Sequence, residues 1–204
     1  MSLHLNKAGL RALGIAESFV RTLCHSILAG VVMRADLRVD GLAYSQATVG
    51  GDDATQAVLD IYQELNRKDI NVILLEGAVL SWFNVVDLQE IWGKTGRPLI
   101  CLTYHSSPGL ERCIGKHFPE SKEKMLRYRN LGERTPLSLK TGYVVYVRAY
   151  GADLEEARIL LNKFTSDGRK PEPLRLAGLA ARAALRKETQ DKCFKITQPE
   201  RNQD

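Results

Sequence analysis

Between Asn71 and Asp87 the chain reads NVILLEGAVLSWFNVVD, and this stretch limits the fold more than any other. Val72, Ile73, Leu74 and Leu75 are apolar in succession, without alternation. A strand with one wet face alternates; an unbroken apolar run suits a strand covered on both faces, as in a sheet flanked by helices. The run stops at Glu76-Gly77. A carboxylate directly after a buried strand falls at the carboxyl edge of the sheet, where α/β proteins build their sites. Gly77 lets the chain turn away, and Trp82, Phe83 and Asn84 follow in a loop. Glu76 is therefore the candidate around which the rest of the chain is read. The competing reading makes it a cap for the next loop or helix.

The 204 residues suit a single domain, assigned to residues 1–187, with a polar tail at 188–204 expected to be disordered. The N-terminal segment lacks the apolar core of a signal peptide, and no run approaches a membrane span, so no membrane partner is expected. Cys24, Cys101, Cys113 and Cys193 show no Cys-x-x-Cys spacing, which favours free thiols in a reducing cytoplasm. His105, Cys113 and His117 are close enough to suggest zinc, but they fit scattered surface residues better. The net charge of +5 is unevenly placed. Glu111 to Lys140 holds eight basic residues against four acidic, and Arg169 to Lys187 holds six against Glu172. Two basic segments on an otherwise acidic body point to a polyanion, nucleic acid first; lysines that merely solvate exposed helices are the alternative.

Taken in order, Leu10–Ile15, Ile27–Arg34 and Arg38–Val49 read as three strands. The link at residues 35–37 is short enough for an antiparallel hairpin. Gly50 to Thr55 opens a helix with Asp52 or Asp53 as its N-cap. Val72–Leu75 is the fourth strand, Val85–Trp92 a helix and Pro98–Thr103 a fifth strand. Pro108–His117 and Ser121–Asn130 are short basic helices, Gly142–Ala149 a strand and Leu154–Phe164 a helix. A last helix follows Pro171-Glu172-Pro173 and runs to about Lys187. On its wheel Leu174, Ala177, Ala181 and Leu185 share one face, beside a stripe of Arg175, Arg182 and Arg186.

Three antiparallel strands, then helix, strand, helix and strand, is the order of a ribonuclease H-like core: an α/β fold with a mixed sheet flanked by helices. Strands one and four then run side by side, which makes Glu17 and Glu76 neighbours at one edge, within reach of Asp52 or Asp53. Clustered carboxylates repel one another, so Glu17, Asp53 and Glu76 are the candidate catalytic and metal-binding set. Their hard oxygens select magnesium or manganese, and a pair of such ions can clamp a phosphodiester. Cap duty for an aspartate, and a turn position for Glu17, compete with this reading. Arg175 and Arg182 are candidates for phosphate contacts, and Trp82 and Phe83 for base stacking. There is no phosphate-binding Gly-x-x-x-x-Gly-Lys loop, no dinucleotide fingerprint and no nucleophile elbow.

Several motifs in one order, GGDDAT (Gly50 to Thr55), FNVVDL (Phe83 to Leu88), TGYVVYVRAYG (Thr141 to Gly151) and PEPLRLA (Pro171 to Ala177), resemble an archaeal family known as a domain of unknown function, number 99. That family is similar to endonuclease V. The resemblance covers about residues 10 to 187 and implies an endonuclease V-like fold, magnesium or manganese as cofactor, and DNA or RNA as partner. Endonuclease V cuts nucleic acid near deaminated purines. Its first strand ends in Gly-Val-Asp, where this chain has Gly14-Ile15-Ala16. Its fourth strand ends in Asp-Gly, which Glu76-Gly77 matches with a longer acid. Its last helix carries a histidine where this chain has Gly178. The expectation is an endonuclease V-like phosphodiesterase with a departing site; the alternative is an inactive nucleic-acid-binding module on the same fold.

Overall fold

A computed structural model describes residues 9–197, and side chains as far as residue 190. Its elements, in chain order, are β1 (Arg11–Ser18), β2 (His25–Arg34), β3 (Val39–Thr48), α1 (Ala54–Leu65), β4 (Val72–Leu75), β5 (Val79–Leu80), β6 (Asn84–Val85) and α2 (Leu88–Thr95). They continue with β7 (Leu99–Thr103), α3 (Glu111–His117), α4 (Lys122–Asn130), β8 (Thr135–Ser138), β9 (Val144–Tyr150), α5 (Leu154–Phe164) and α6 (Glu172–Thr197).

Seven of the strands form one mixed sheet in the order β3-β2-β1-β4-β7-β9-β8. β1, β2 and β3 are antiparallel neighbours; β4 lies parallel to both β1 and β7. The expected ribonuclease H-like order, with β1 beside β4, is the order observed. β4 explains its own composition. Ile73 and Leu75 pack towards α1 and α2, whereas Val72 and Leu74 pack towards α5 and the start of α6. All four side chains are fully buried. At about 1.5–3 kcal/mol for each large apolar side chain buried, this short strand is a main anchor of both layers.

β1 alternates in the same way. Leu13 and Ile15 join the α1 face, while Ala12, Gly14 and Ala16 form a strip of small residues on the α6 face. That strip admits the helix closely. A Cβ on Gly14 would come within 2.6 Å of the Pro173 carbonyl carbon and 2.8 Å of the Leu174 nitrogen. Leu174, Ala177, Ala181 and Leu185 are the buried face of α6, as its helical wheel predicts.

Four differences from the sequence reading bear on the site or the fold. β1 continues to Ser18, past the expected end at Ile15, so Glu17 lies in the strand rather than in a turn. The helix expected over Val85–Trp92 starts later: Val85 pairs with Val79 in a small hairpin, and Asp87 caps α2 by accepting from the Glu90 N–H at 2.9 Å. The β-branched pair Val85-Val86 favours extended backbone there. β8, unexpected from sequence, pairs with β9. Finally, α6 continues to Thr197, beyond the expected stop at Lys187; residues 198–204 of the expected tail lie outside the described residues.

Candidate functional site at the carboxyl edge of β4

Glu76 follows β4 directly, and its N–H donates to the Ile15 carbonyl at 3.0 Å, which continues the pairing of β1 with β4. Because Ile15 pairs with Leu75, Ala16 and Glu76 are the next residues along their strands, on the side of the sheet that α6 covers. The helix brings Gly178 against the carboxylate: a Cβ on Gly178 would stand 3.6 Å from Glu76 Oε2. The same point lies 3.5 Å from Lys170 Nζ and 3.3 Å from Arg182 Nη1. Lys170 donates to Glu76 Oε1 at 2.5 Å, and each side chain of the pair is about three-quarters buried.

The end of β7 supplies the other wall. Tyr104 packs beneath the two cations of the segment that leads into α6: Arg169 and Lys170 each lie 5.7 Å from its ring centroid. Arg169 also donates to the Tyr104 carbonyl at 2.9 Å. The Tyr104 hydroxyl is buried and has no hydrogen-bond partner of good geometry among the described residues. Burial, and then the negative charge of Glu76, push its pKa upward. Glu76 therefore sits among Lys170, Arg182, Arg169 and a neutral phenol, with glycine rather than a side chain opposite it.

The other two expected carboxylates are engaged elsewhere. Glu17 points to the opposite side of β1 from Ala16, as strand alternation requires. One of its oxygens accepts from the Ser81 N–H at 2.7 Å and the Ser81 hydroxyl at 2.8 Å. Burial raises its pKa, the Ser81 hydrogen bonds lower it, and the charge of Glu76 raises it again; the net shift is upward. Asp53 occupies the N-cap position of α1 but does not cap it. Its carboxylate turns back to Thr48, accepting from the backbone N–H and the hydroxyl, and accepts from Asn84 Nδ2 at 2.6 Å. Burial would raise its pKa, but these hydrogen bonds outweigh that effect and leave it lowered. Asn84 Oδ1 instead caps the helix, accepting from the Ala54 N–H at 2.9 Å. Asp52 pairs with the buried Lys124, which also donates to the carbonyls of Gly51 and Phe83.

Glu17, Asp53 and Glu76 thus do not converge. Among the described residues, no group of three or more His, Cys, Asp or Glu side chains is placed to hold an ion. The donor set does not fit the metal centre that the sequence resemblance implies: Ala16 and Gly178 offer no ligand, and Glu76 is already paired with an ammonium.

Trp82 and Phe83 form the tip of the β5–β6 hairpin with Ser81, and all three take left-handed backbone conformations, φ 45°, 57° and 69°. Such a run of non-glycine residues is strained. It is held by Glu17 on Ser81, by a Ser81–Ser26 hydroxyl contact, and by ring packing. Trp82 lies 5.4 Å from Phe118 and 5.5 Å from His117, with Arg21 over its outer part at 5.7 Å. Phe83 stacks on His117. Arg182 is exposed and borders Gly178; Arg175 is exposed and pairs with Glu172 at 2.7 Å. Sequence reasoning placed Lys170 and Arg169 only in a basic segment, and Tyr104 only in a weak acid/base candidate with His105 and Ser106, and brought none of them to Glu76. Their signal was weak, a basic pair just before Pro171 and a tyrosine just after an apolar run.

A mixed seven-stranded sheet of this order, with an acidic residue at the edge of β4 facing the last helix, places the chain in the endonuclease V-like class of ribonuclease H-like folds. Endonuclease V from Ciona intestinalis, solved with a 24mer DNA containing an inosine followed by a ribo-adenosine, superposes with a TM-score of 0.59 and 16% identity, over 88% of this chain and 87% of that one. The chain belongs to the endonuclease dU family, whose model matches residues 8–185. A UPF0215 protein from Pyrobaculum calidifontis is 37% identical over 170 residues, 83% of this chain and 93% of its own. A protein of unknown function from Archaeoglobus fulgidus superposes with a TM-score of 0.73 and 26% identity, over 86% of this chain and 98% of that one. No helix among the described residues is long and apolar enough to cross a membrane.

Proposed function

We propose that this chain is a nucleic-acid endonuclease that holds the scissile phosphate at the edge of β4, and that the family numbered 99 and the endonuclease dU family are one. The observation that carries the reading is the Glu76–Lys170 pair, set beside Arg182 and Arg169 and left open by Gly178. Cations around one carboxylate suit a phosphodiester: Lys170 moves from Glu76 to a non-bridging oxygen, with Arg182 as a second phosphate ligand. The released carboxylate then accepts a proton from the attacking water as its oxygen bonds to phosphorus, one phosphorus–sugar oxygen bond breaks, the departing oxygen takes a proton from solvent, and the cations offset the charge that develops on the phosphate. Arg175, further along the same stripe, meets the strand beyond. Trp82 and Phe83 offer stacking faces. The family description points to deoxyuridine in DNA as the first substrate to try, with inosine-containing DNA and RNA next. Magnesium or manganese, expected from the resemblance, would find at this edge the Glu76 carboxylate once Lys170 has left it, with no ligand from Ala16 or Gly178. The reduced thiols of Cys24, Cys101 and Cys113 suit a cytoplasmic protein.

The second reading, strand binding without turnover, draws support from Ala16, Gly178 and the engagement of Glu17 and Asp53. One panel separates the two: DNA and RNA carrying deoxyuridine, inosine or no lesion, incubated with and without magnesium and manganese. Cleavage that Glu76→Gln abolishes supports the endonuclease. Binding that Lys170→Ala and Arg182→Ala weaken, with no product under any condition, leaves the binding module. Absence of both sinks the two together.

A further inference from the structure

We propose that the cavity between β7–β9 and the α4–β8 turn is a nucleotide subsite that takes one phosphate-bearing unit of the bound strand, across the carboxyl end of β7 from the Glu76 edge; this rests on the nucleic-acid reading above. The cavity is about 420 Å³, within the range of small-ligand pockets. Arg129, Arg134 and Arg148 line it, and none of them has a carboxylate within salt-bridge distance among the described residues.

Two of these guanidiniums are held in place. Arg134 lies 5.8 Å from the Tyr146 ring centroid and donates to the Thr103 hydroxyl at 2.9 Å and the Ser107 carbonyl at 2.8 Å. Arg148 lies 5.9 Å from the ring centroid of buried Tyr128 and donates through Nε to the Gly132 carbonyl at 2.8 Å. Its two terminal nitrogens make no hydrogen bond within the described residues and remain for a ligand. A preorganised fork of this kind matches the oxygens of a phosphate. The exposed carboxylates of Glu111 and Glu133 also line the cavity. They restrict it to a single phosphate and offer acceptors for the N–H groups of a base.

The cavity lies across the carboxyl end of β7 from the Glu76 site. Arg134 grips the segment Thr103 to Ser107 from one side, and Arg169 grips Tyr104 and His105 from the other. Arg148 and Tyr146 pair with Cys101 and Thr103 on the α1 side of the sheet, opposite the side of Glu76, so a strand with one phosphate at Lys170 and Arg182 reaches the arginine cavity by rounding the carboxyl end of β7.

The test is fluorescence anisotropy of a labelled single-stranded oligonucleotide on the full chain across a salt series. Arg129→Gln with Arg148→Gln should weaken binding at low salt about ten-fold or more, and reduce the log–log salt slope by about 0.7, the amount for the one phosphate no longer neutralised. Arg148→Lys, which keeps the charge and removes the fork, should keep the slope near wild type with an intermediate affinity. If the Gln pair lowers the melting temperature sharply, Arg148→Lys against Arg148→Met decides instead. Wild-type binding that the variants leave unchanged overturns the subsite and leaves the proposed function standing. A nucleoside monophosphate that binds wild type but not the variants, with the oligonucleotide slope unaltered, makes the cavity a free-nucleotide site and overturns the strand path. No strand binding by wild type at any salt overturns both readings.

Discussion

Gly14 of β1 and Pro173 of α6 meet backbone to backbone: a Cβ on the glycine would stand 2.6 Å from the proline carbonyl carbon and 2.7 Å from its Cβ. This approach sets the depth at which α6 lies on the sheet, and hence the distance of Gly178 and Lys170 from Glu76.

Gly14→Ala should therefore damage fold and site together. The atoms in the way include backbone, which cannot swing aside, so the cost is that of overpacking, about 1–3 kcal/mol or more. Urea denaturation should show the loss of stability. Oligonucleotide binding should weaken as well, although Gly14 touches no ligand. Normal stability in this variant would mean that α6 is not seated as described.

Glu17 should make stability depend on pH in an unusual direction. Burial, then the charge of Glu76, hold its folded pKa above the ordinary value of 4.5, with the Ser81 bonds opposing. Between those two pKa values the folded state binds more proton than the unfolded chain, so this residue's contribution falls as pH rises through the window. It is fully favourable below 4.5. Asp53, Asp69 and Glu155, whose pKa values are lowered, act in the opposite sense at lower pH. The difference between Glu17→Gln and wild type isolates the effect. The variant should gain on wild type from about pH 4.5 upward in parallel urea titrations. A difference that is flat with pH would show that Glu17 carries no burial penalty.

Trp82→Ala should weaken oligonucleotide binding by about 1–3 kcal/mol if a base stacks on the exposed part of the indole. The ring is half-buried against Phe118 and His117, so some loss of melting temperature accompanies it. The informative result is the affinity: a lower melting temperature with unchanged binding would confine Trp82 to holding the hairpin.

Some of this was legible in the chain and some was not. The β4 run and the strand order were, because an unbroken apolar run and alternating strands report burial directly. The small strip Ala12, Gly14 and Ala16 also carries its meaning in period two. Asp53 shows the limit. An aspartate before a helix can be a cap or a ligand; here Asp53 does not cap, because Asn84, 31 residues away, reaches in, takes the Ala54 N–H and hydrogen-bonds the Asp53 carboxylate. Lys170 lies 94 residues from Glu76, and their contact depends on how α6 docks, which no local pattern encodes. The hairpin was hidden for a related reason: its three left-handed residues are held by Glu17 and by the rings of His117 and Phe118, against their own preferences.

Ala16 gives the sharpest test of the site. It is buried beside Ala177 and Val31, one position past the Ile15–Leu75 pairing, on the same side of the sheet as Glu76. Ala16→Asp should place a second carboxylate next to the first. Two adjacent carboxylates repel in this buried setting, so the variant should be less stable than wild type without a divalent ion. Lys170 offsets part of that repulsion. Manganese should then bind more tightly than to wild type by calorimetry, and should raise the melting temperature of the variant more than that of wild type. Glu76→Ala in the same background should abolish the gain, because the increment belongs to the pair. Gly178→His requires Arg182, Lys170 and Glu76 to give way, and the groups nearest its Cβ are the far ends of those side chains rather than backbone. Adding it should tighten manganese further. If Ala16→Asp folds and its manganese affinity equals that of wild type, Ala16 and Glu76 do not share a face, and the candidate site at the β4 edge is wrong in its geometry.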